Sequence, residues 1–238
     1  MKKNNMPAER TASTMSQRLL AHFENLLKKL PELPEGVSWL LPLRELPETA
    51  HITKTFLEKY YNDTQPRTLI LGINPGRFGA GLTNVAFTGP VMLEQECGIE
   101  NTFHKRAELS AVFIYQMINA WGGVVPFYKR FFINSVVPFG FVKDGINYNY
   151  YDDKMLQQSM EPFIQFHLEN LLSLGMNREV CFCLGTGKNF KYLNKLNDRK
   201  GYFEKVVPLE HPRFIMQYKR KKLEEYIGMY LAKLNGDF

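Results

Sequence analysis

Four short apolar runs, each ending in a turn built from glycine, asparagine or histidine, constrain this chain more than any other feature. They are residues 67–73 (RTLILGI), 131–137 (FFINSVV), 179–184 (EVCFCL) and 204–209 (EKVVPL). Near-continuous apolar runs of this length read as strands buried on both faces of a parallel sheet. Stretches with helical spacing separate them, at 107–121, 153–174 and 186–197, and a last one covers 217–234. Strands alternating with helices, each connection long enough for a crossover, predict an α/β fold: three α/β/α layers around a central four-stranded parallel sheet.

Upstream, Leu19, Leu20, Phe23, Leu26, Leu27 and Leu30 recur at helical spacing within 15–30, with Thr14 or Ser16 as N-cap, and a second helix covers 49–61. Pro31, Pro34, Pro42 and Pro47 interrupt the pattern, giving an extended connector that carries Trp39. Residues 1–14 show no hydrophobic period and are expected to form a mobile tail. Residues 15–238 then form one domain, with a helical N-terminal part at 15–62 and a motif-bearing core at 67–215. Residues 141–151, centred on Asp144-Gly145, read as a hairpin or long loop.

Composition narrows the class. With 45% apolar and 23% charged residues, the 238-residue chain is expected to pack as a globular protein, not to be disordered. No apolar run approaches the ~18 residues of a membrane span, and the polar first 18 residues lack the apolar core of a secretory signal. Three cysteines cannot build a disulfide framework; Cys181 and Cys183 alternate in an apolar run as small buried hydrophobes, so a reducing, cytoplasmic setting is expected. Three Cys and five scattered His offer no zinc or iron–sulfur spacing, and no cofactor or metal is expected. The net charge of +6 is concentrated: residues 188–222 hold eleven basic against three acidic side chains. Such a field attracts polyanions, nucleic acid foremost, although a solvated lysine-rich face has the same composition.

Ligands of open parallel sheets bind outside the carboxyl ends of the strands. The residues there are Asn74-Pro75-Gly76, 134–140, Gly185-Thr186-Gly187 and Glu210-His211-Pro212. The first turn has four glycines in ten positions, yet Pro75 and the missing Lys-Ser/Thr ending rule out a phosphate-binding loop. It presents Asn74, whose acceptor and donor atoms can hold a water for attack without ionising; an Asx-turn onto its own backbone is the alternative. His211, stiffened by Pro212, is suited to act as electrophile or general acid. His22, His51, His104 and His167 are less well placed. No G-x-S-x-G elbow occurs, and Glu210 is the lone carboxylate at these ends, which argues against serine hydrolases and metal-dependent nucleases.

The segments GINPGRFGAGLTNVAF (72–87), FINSVVPFGF (132–141) and EHPRF (210–214) resemble the motifs of the uracil-DNA glycosylase superfamily, most closely its single-strand-selective monofunctional branch in a bacterial form. Those enzymes have a G-M-N-P-G-x-F-G turn followed by T-x-V-x-F, and Thr83, Val85 and Phe87 fall in place without a gap. The 183–187 turn (CLGTG) resembles the family's third strand end, and the likeness spans about residues 67–215.

The resemblance implies a cofactor-independent, monomeric enzyme of base excision repair. It would cut the glycosidic bond of uracil in single- or double-stranded DNA in the bacterial cytoplasm, associated with the nucleoid. Asn74 would position the water, and His211 would stabilise charge on the leaving base. Gly76 would leave room at the pocket mouth, Phe87 would stack on the extruded base and Phe78 would help wall the pocket. Such donors act where charge develops in the transition state. Two departures stand out. The residue three before Pro138, where the family carries its base-reading Asn, is Ser135, while Asn134 lies four before; adjacent strand residues face opposite sides, so one of the two enters the pocket. The family's H-P-S-P run is also shortened, leaving Arg213 and Phe214 as the wedge that replaces the flipped base, with Pro212 beside them as a further DNA contact. Arg77, Lys188, Lys191 and Lys219 would contact phosphates. No strand-end lysine is assigned to a Schiff base, hence "monofunctional". The alternatives are a glycosylase of the same fold preferring xanthine or hypoxanthine and a catalytically silent nucleic-acid-binding module; a hydrolase of free nucleosides is disfavoured by the basic surface.

Overall fold

The described residues, 13–238 of a computed structural model, hold strands β1 (Val37–Leu40), β2 (Arg67–Gly72), β3 (Phe131–Ser135), β4 (Gly140–Lys143), β5 (Ile146–Tyr148), β6 (Met176–Leu184) and β7 (Lys205–Leu209). Strands β2, β3, β6 and β7 form a four-stranded parallel sheet in the order β3-β2-β6-β7. These are the four apolar runs. Their register aligns the carboxyl ends, pairing Gly72 with Ser135, Leu71 with Cys183 and Leu184 with Leu209. Pro208, which has no N–H for a ladder, sits on the edge strand β7, where such a residue is tolerated.

Helices Met15–Leu27, Pro47–Tyr61, Leu109–Trp121, Lys154–Ser173, Lys188–Lys200 and Leu223–Leu234 account for the predicted helical stretches. Thr14 caps the first in a reciprocal box: its hydroxyl accepts from the Gln17 amide, and the Gln17 side chain accepts from its own. Residues 1–12 of the expected tail lie outside the described residues. The expected helix at 217–234 divides in two, because Pro212–Tyr218 and Leu223–Leu234 are separated by a single basic 3₁₀ turn, Arg220–Lys222. Buried apolar side chains from Met15 to Leu234 form one continuous cluster. No helix among the described residues is long and apolar enough to cross a membrane.

A second, antiparallel sheet has the order β1-β4-β5. The β4–β5 hairpin turns at Asp144 and Gly145, both left-handed (φ 50° and 72°), as a tight two-residue turn requires. Strand β1 was expected to be an extended connector; it pairs with β4, setting Trp39 opposite Phe141 with ring centroids 4.7 Å apart.

Behind β3 lies a buried histidine pair. His22 Nε2 is 2.9 Å from His167 Nδ1, and His167 Nε2 donates to the Ser135 carbonyl at 3.2 Å. A carbonyl only accepts, so the His167 proton is on Nε2, its Nδ1 accepts, and His22 is the donor. His22 Nδ1 is left buried without a partner. Burial lowers the His22 pKa from 6.5 to about 4 and that of His167 well below 6.5, a neighbouring His22 charge adding to the effect. Below pH 6.5 the unfolded chain binds protons that the fold excludes, so stability falls as pH drops from 6.5 toward 4 and is unaffected above that window. His22 alone accounts for about 3 kcal/mol across it. The urea midpoint is expected to fall steadily over this range, and less steeply in His22→Gln, whose amide still donates to His167.

Candidate active site

The carboxyl ends of the parallel strands and the chain leaving β5 enclose a cleft of about 650 Å³. Among the predicted site residues, Asn74, Gly76, Phe87, Ser135, Lys188, His211, Arg213 and Phe214 line it.

Asn74 follows β2 and is half-buried. Its Nδ2 donates to the Tyr148 carbonyl at 3.0 Å, and its Oδ1 accepts from the Tyr150 amide at 3.1 Å. Both partners lie more than seventy residues away, so the side chain tethers the hairpin exit and does not fold onto its own turn. Each carboxamide atom keeps one hydrogen-bonding position, an acceptor on Oδ1 and a donor on Nδ2. Tyr150 is anchored in turn: its hydroxyl donates to Asn189 Oδ1 at 2.9 Å, while Asn189 Nδ2 bonds the Gly72 and Leu184 carbonyls at 3.3 and 3.2 Å. Buried Asn189 thereby clips the ends of β2 and β6 to the same loop.

His211 follows β7 as N-cap of Pro212–Tyr218, its Nδ1 accepting from the Arg213 amide at 3.2 Å. An amide only donates, so this bond assigns the proton to Nε2 and leaves Nε2–H as the free donor. Burial, helped by the Arg213 charge, lowers the His211 pKa to about 4. The imidazole is neutral at pH 7. Its ring centre stands 6.3 Å from that of Phe87.

At β3 the two candidates differ. Ser135 lines the cleft, whereas Asn134 turns its Oδ1 back to the Ser135 amide at 2.7 Å and lines only an adjoining cavity of about 30 Å³, which Ser135 also borders. Phe87 has a left-handed backbone (φ 54°), costly for a bulky residue and a form of strain that concentrates at functional sites. A Cβ on Gly72 would lie 3.0 Å from the Phe87 ring and 3.4 Å from Ser135 Oγ, so the bare glycine lets both reach one pocket floor.

Besides Asn134, the predicted residues Arg77, Phe78, Lys191, Pro212 and Lys219 do not line the cleft. The Arg77 guanidinium donates to the Gly145 carbonyl and packs 4.6 Å from the Phe78 ring, and its backbone amide donates to Asn147 Oδ1 at 3.1 Å. These bonds brace the hairpin. Phe78 lies between Arg77 and Arg106, the latter at 4.2 Å, and is not among the residues lining the cleft. Pro212 is buried in the first helical turn, and Lys219 is exposed beyond the helix end. Lys188, assigned to phosphates, does line the cleft, with Nζ 5.6 Å from the Tyr151 ring centre.

Sequence reasoning missed Asn189, Glu108 and Tyr218. Tyr218 is 71% exposed, Phe214 is 39% exposed, and their rings sit 5.5 Å apart on the rim of the cleft. Their i, i+4 spacing was the available signal.

A family model described as the uracil DNA glycosylase superfamily matches residues 58–235. The crystal structure of wild-type SMUG2 from Pedobacter heparinus is 44% identical in sequence, with a TM-score of 0.90, over 94% of this chain and 98% of that one. Among curated proteins none matches the chain significantly.

Proposed function

Because the chain belongs to the uracil DNA glycosylase superfamily, on the branch that holds SMUG2, we propose that it hydrolyses the N-glycosidic bond of uracil in DNA, by a monofunctional mechanism. The observation that carries this reading is the pairing of an uncharged carboxamide with a neutral imidazole N–H on one cleft. Cleavage passes through a cationic sugar and an anionic base. The free Nε2–H of His211 is suited to the developing charge on the base oxygen, and the free Oδ1 position of Asn74 to the attacking water. Phe87 stacks on the extruded base and Gly76 leaves space at its edge. Ser135 supplies one rotatable hydroxyl to the base. Lys188, Lys191 and the basic turn beyond Tyr218 follow the phosphates, while Arg213 and Phe214 fill the vacated stack.

An oligonucleotide carrying one deoxyuridine, incubated in EDTA, tests this. Free uracil and an abasic site that breaks only after alkali are expected, with no adduct trapped by borohydride. A trapped adduct would reassign Lys188 as a Schiff-base nucleophile, and no released uracil would overturn the reading. The contact of Ser135, and not Asn134, with the cleft favours a second reading. A single hydroxyl discriminates less than a carboxamide, so other deaminated bases fit the same site.

A further inference from the structure

We propose that His167 is a positioning residue for base recognition: its bond to the Ser135 carbonyl, together with that of Asn134 to the Ser135 amide, fixes where the Ser135 hydroxyl stands in the cleft. This rests on the reading of Ser135 in the proposed function.

The requirement comes from the sheet. Strand β3 is an edge of the parallel sheet. The Val136 amide reaches the Gly72 carbonyl of β2 at 3.0 Å. The Ser135 carbonyl belongs to the same trans peptide, so it points the opposite way, to the side where no strand follows. Ser135 is buried, and main-chain groups withheld from water need partners within the protein. Side chains supply both. Asn134 Oδ1 accepts from the Ser135 amide at 2.7 Å, and His167 Nε2 donates to the Ser135 carbonyl at 3.2 Å. The two planar peptides that meet at the Ser135 Cα are thereby pinned. With φ and ψ held, the direction of Cβ is set, and the hydroxyl keeps only its own rotation.

Any buried donor satisfies a carbonyl, yet this chain uses an arrangement that lowers its stability. His167 is fully buried, its Nδ1 takes a second buried imidazole, and His22 Nδ1 is left without a partner among the described residues. What results is a donor that cannot turn away. The His167 ring is stacked on that of His22, centroids 5.1 Å apart and planes 19° from parallel, and the bond between them keeps the His167 proton on Nε2. Polar chains of this kind rigidify the groups they end on. This one ends on a residue of the cleft. His22 belongs to the helix Met15–Leu27, which precedes the residues 58–235 matched by the family model.

A double-mutant cycle with Ser135→Ala tests the assignment, reading kcat/KM for uracil release from a deoxyuridine oligonucleotide and the urea midpoint of each variant. Ser135→Ala should itself lower kcat/KM. His167→Leu fills the space without the donor and is expected to lower kcat/KM roughly tenfold, but only about twofold or less once Ser135→Ala is present, since contacting residues couple on this scale. His167→Gln again offers a donor to the carbonyl and should recover most of the rate, although it leaves His22 without its acceptor and lowers the urea midpoint. Rates that follow the urea midpoint and not the donor would make His167 a merely structural residue and overturn the assignment. Equal losses from His167→Leu with and without Ser135→Ala would do the same, as would unchanged kcat/KM in Ser135→Ala. Should His167→Leu fail to fold, Asn134→Leu frees the other peptide and enters the same cycle, where coupled losses are expected and additive ones overturn the assignment. Failure of the wild type to release uracil would overturn the proposed function itself.

Discussion

Asn74→Ala is expected to slow single-turnover uracil release by at least about 10²-fold, the order lost when a reacting group is misplaced by an ångström. The loss has two sources. The water loses its acceptor, and the hairpin exit loses the two hydrogen bonds that fix Tyr148 and Tyr150. The second source also costs stability, about 1–3 kcal/mol for main-chain groups left unpaired, which a urea titration reads. Asn74→Asp separates the two. Its carboxylate still accepts from the Tyr150 amide but sets an oxygen against the Tyr148 carbonyl, where a donor stood at 3.0 Å. That variant should therefore disturb the hairpin while retaining an acceptor for water. Wild-type rates in Asn74→Ala would remove this residue from the chemistry.

His211→Ala removes the one free imidazole donor in the cleft and is expected to cost about 10²–10³-fold in rate, or 2.7–4 kcal/mol of transition-state stabilisation. It also removes a helix cap worth about 1 kcal/mol. His211→Asn isolates the catalytic part, because its carbonyl can still cap the Arg213 amide while its shorter amide cannot reach the base. Stability near wild type with a large rate loss is the expected pattern. With a pKa of about 4, His211 stays neutral across the physiological range, so the rate of uracil release should show no inflection near pH 6.5. An inflection there would mean that imidazolium is the acting form. DNA affinity should change far less than rate; equal losses would make His211 a binding residue.

The parallel sheet was readable because strands buried on both faces must be apolar throughout and must end in turns. The hairpin was readable from Asp144-Gly145, a pair that accepts left-handed backbone. Strand β1 was not: Val37–Leu40 is mostly half-exposed, lies among prolines, and finds its partner about a hundred residues later in Gly140–Lys143. The choice between Asn134 and Ser135 could be framed from strand alternation, but which face looked into the cleft depended on how β3 sits beside β2. Arg77 carried the charge expected of a phosphate contact, and only the folded hairpin brings the Gly145 carbonyl to it. Glu108 gave no local signal at all, since the glycines that house its carboxyl group, Gly76, Gly79 and Gly89, belong to another segment.

The small antiparallel sheet has a practical bearing on how short an active form can be. A fragment beginning at residue 62 would retain each signature turn, the basic surface and the aromatic rim. It would also strip a neighbour from the β4 ladder and the indole from Phe141, loosening the arm from which Asn74 takes both of its bonds. A chain that begins no later than Val37 is therefore expected to be the shortest that keeps this arm in place, which uracil release by fragments starting at 37 and at 62 would check.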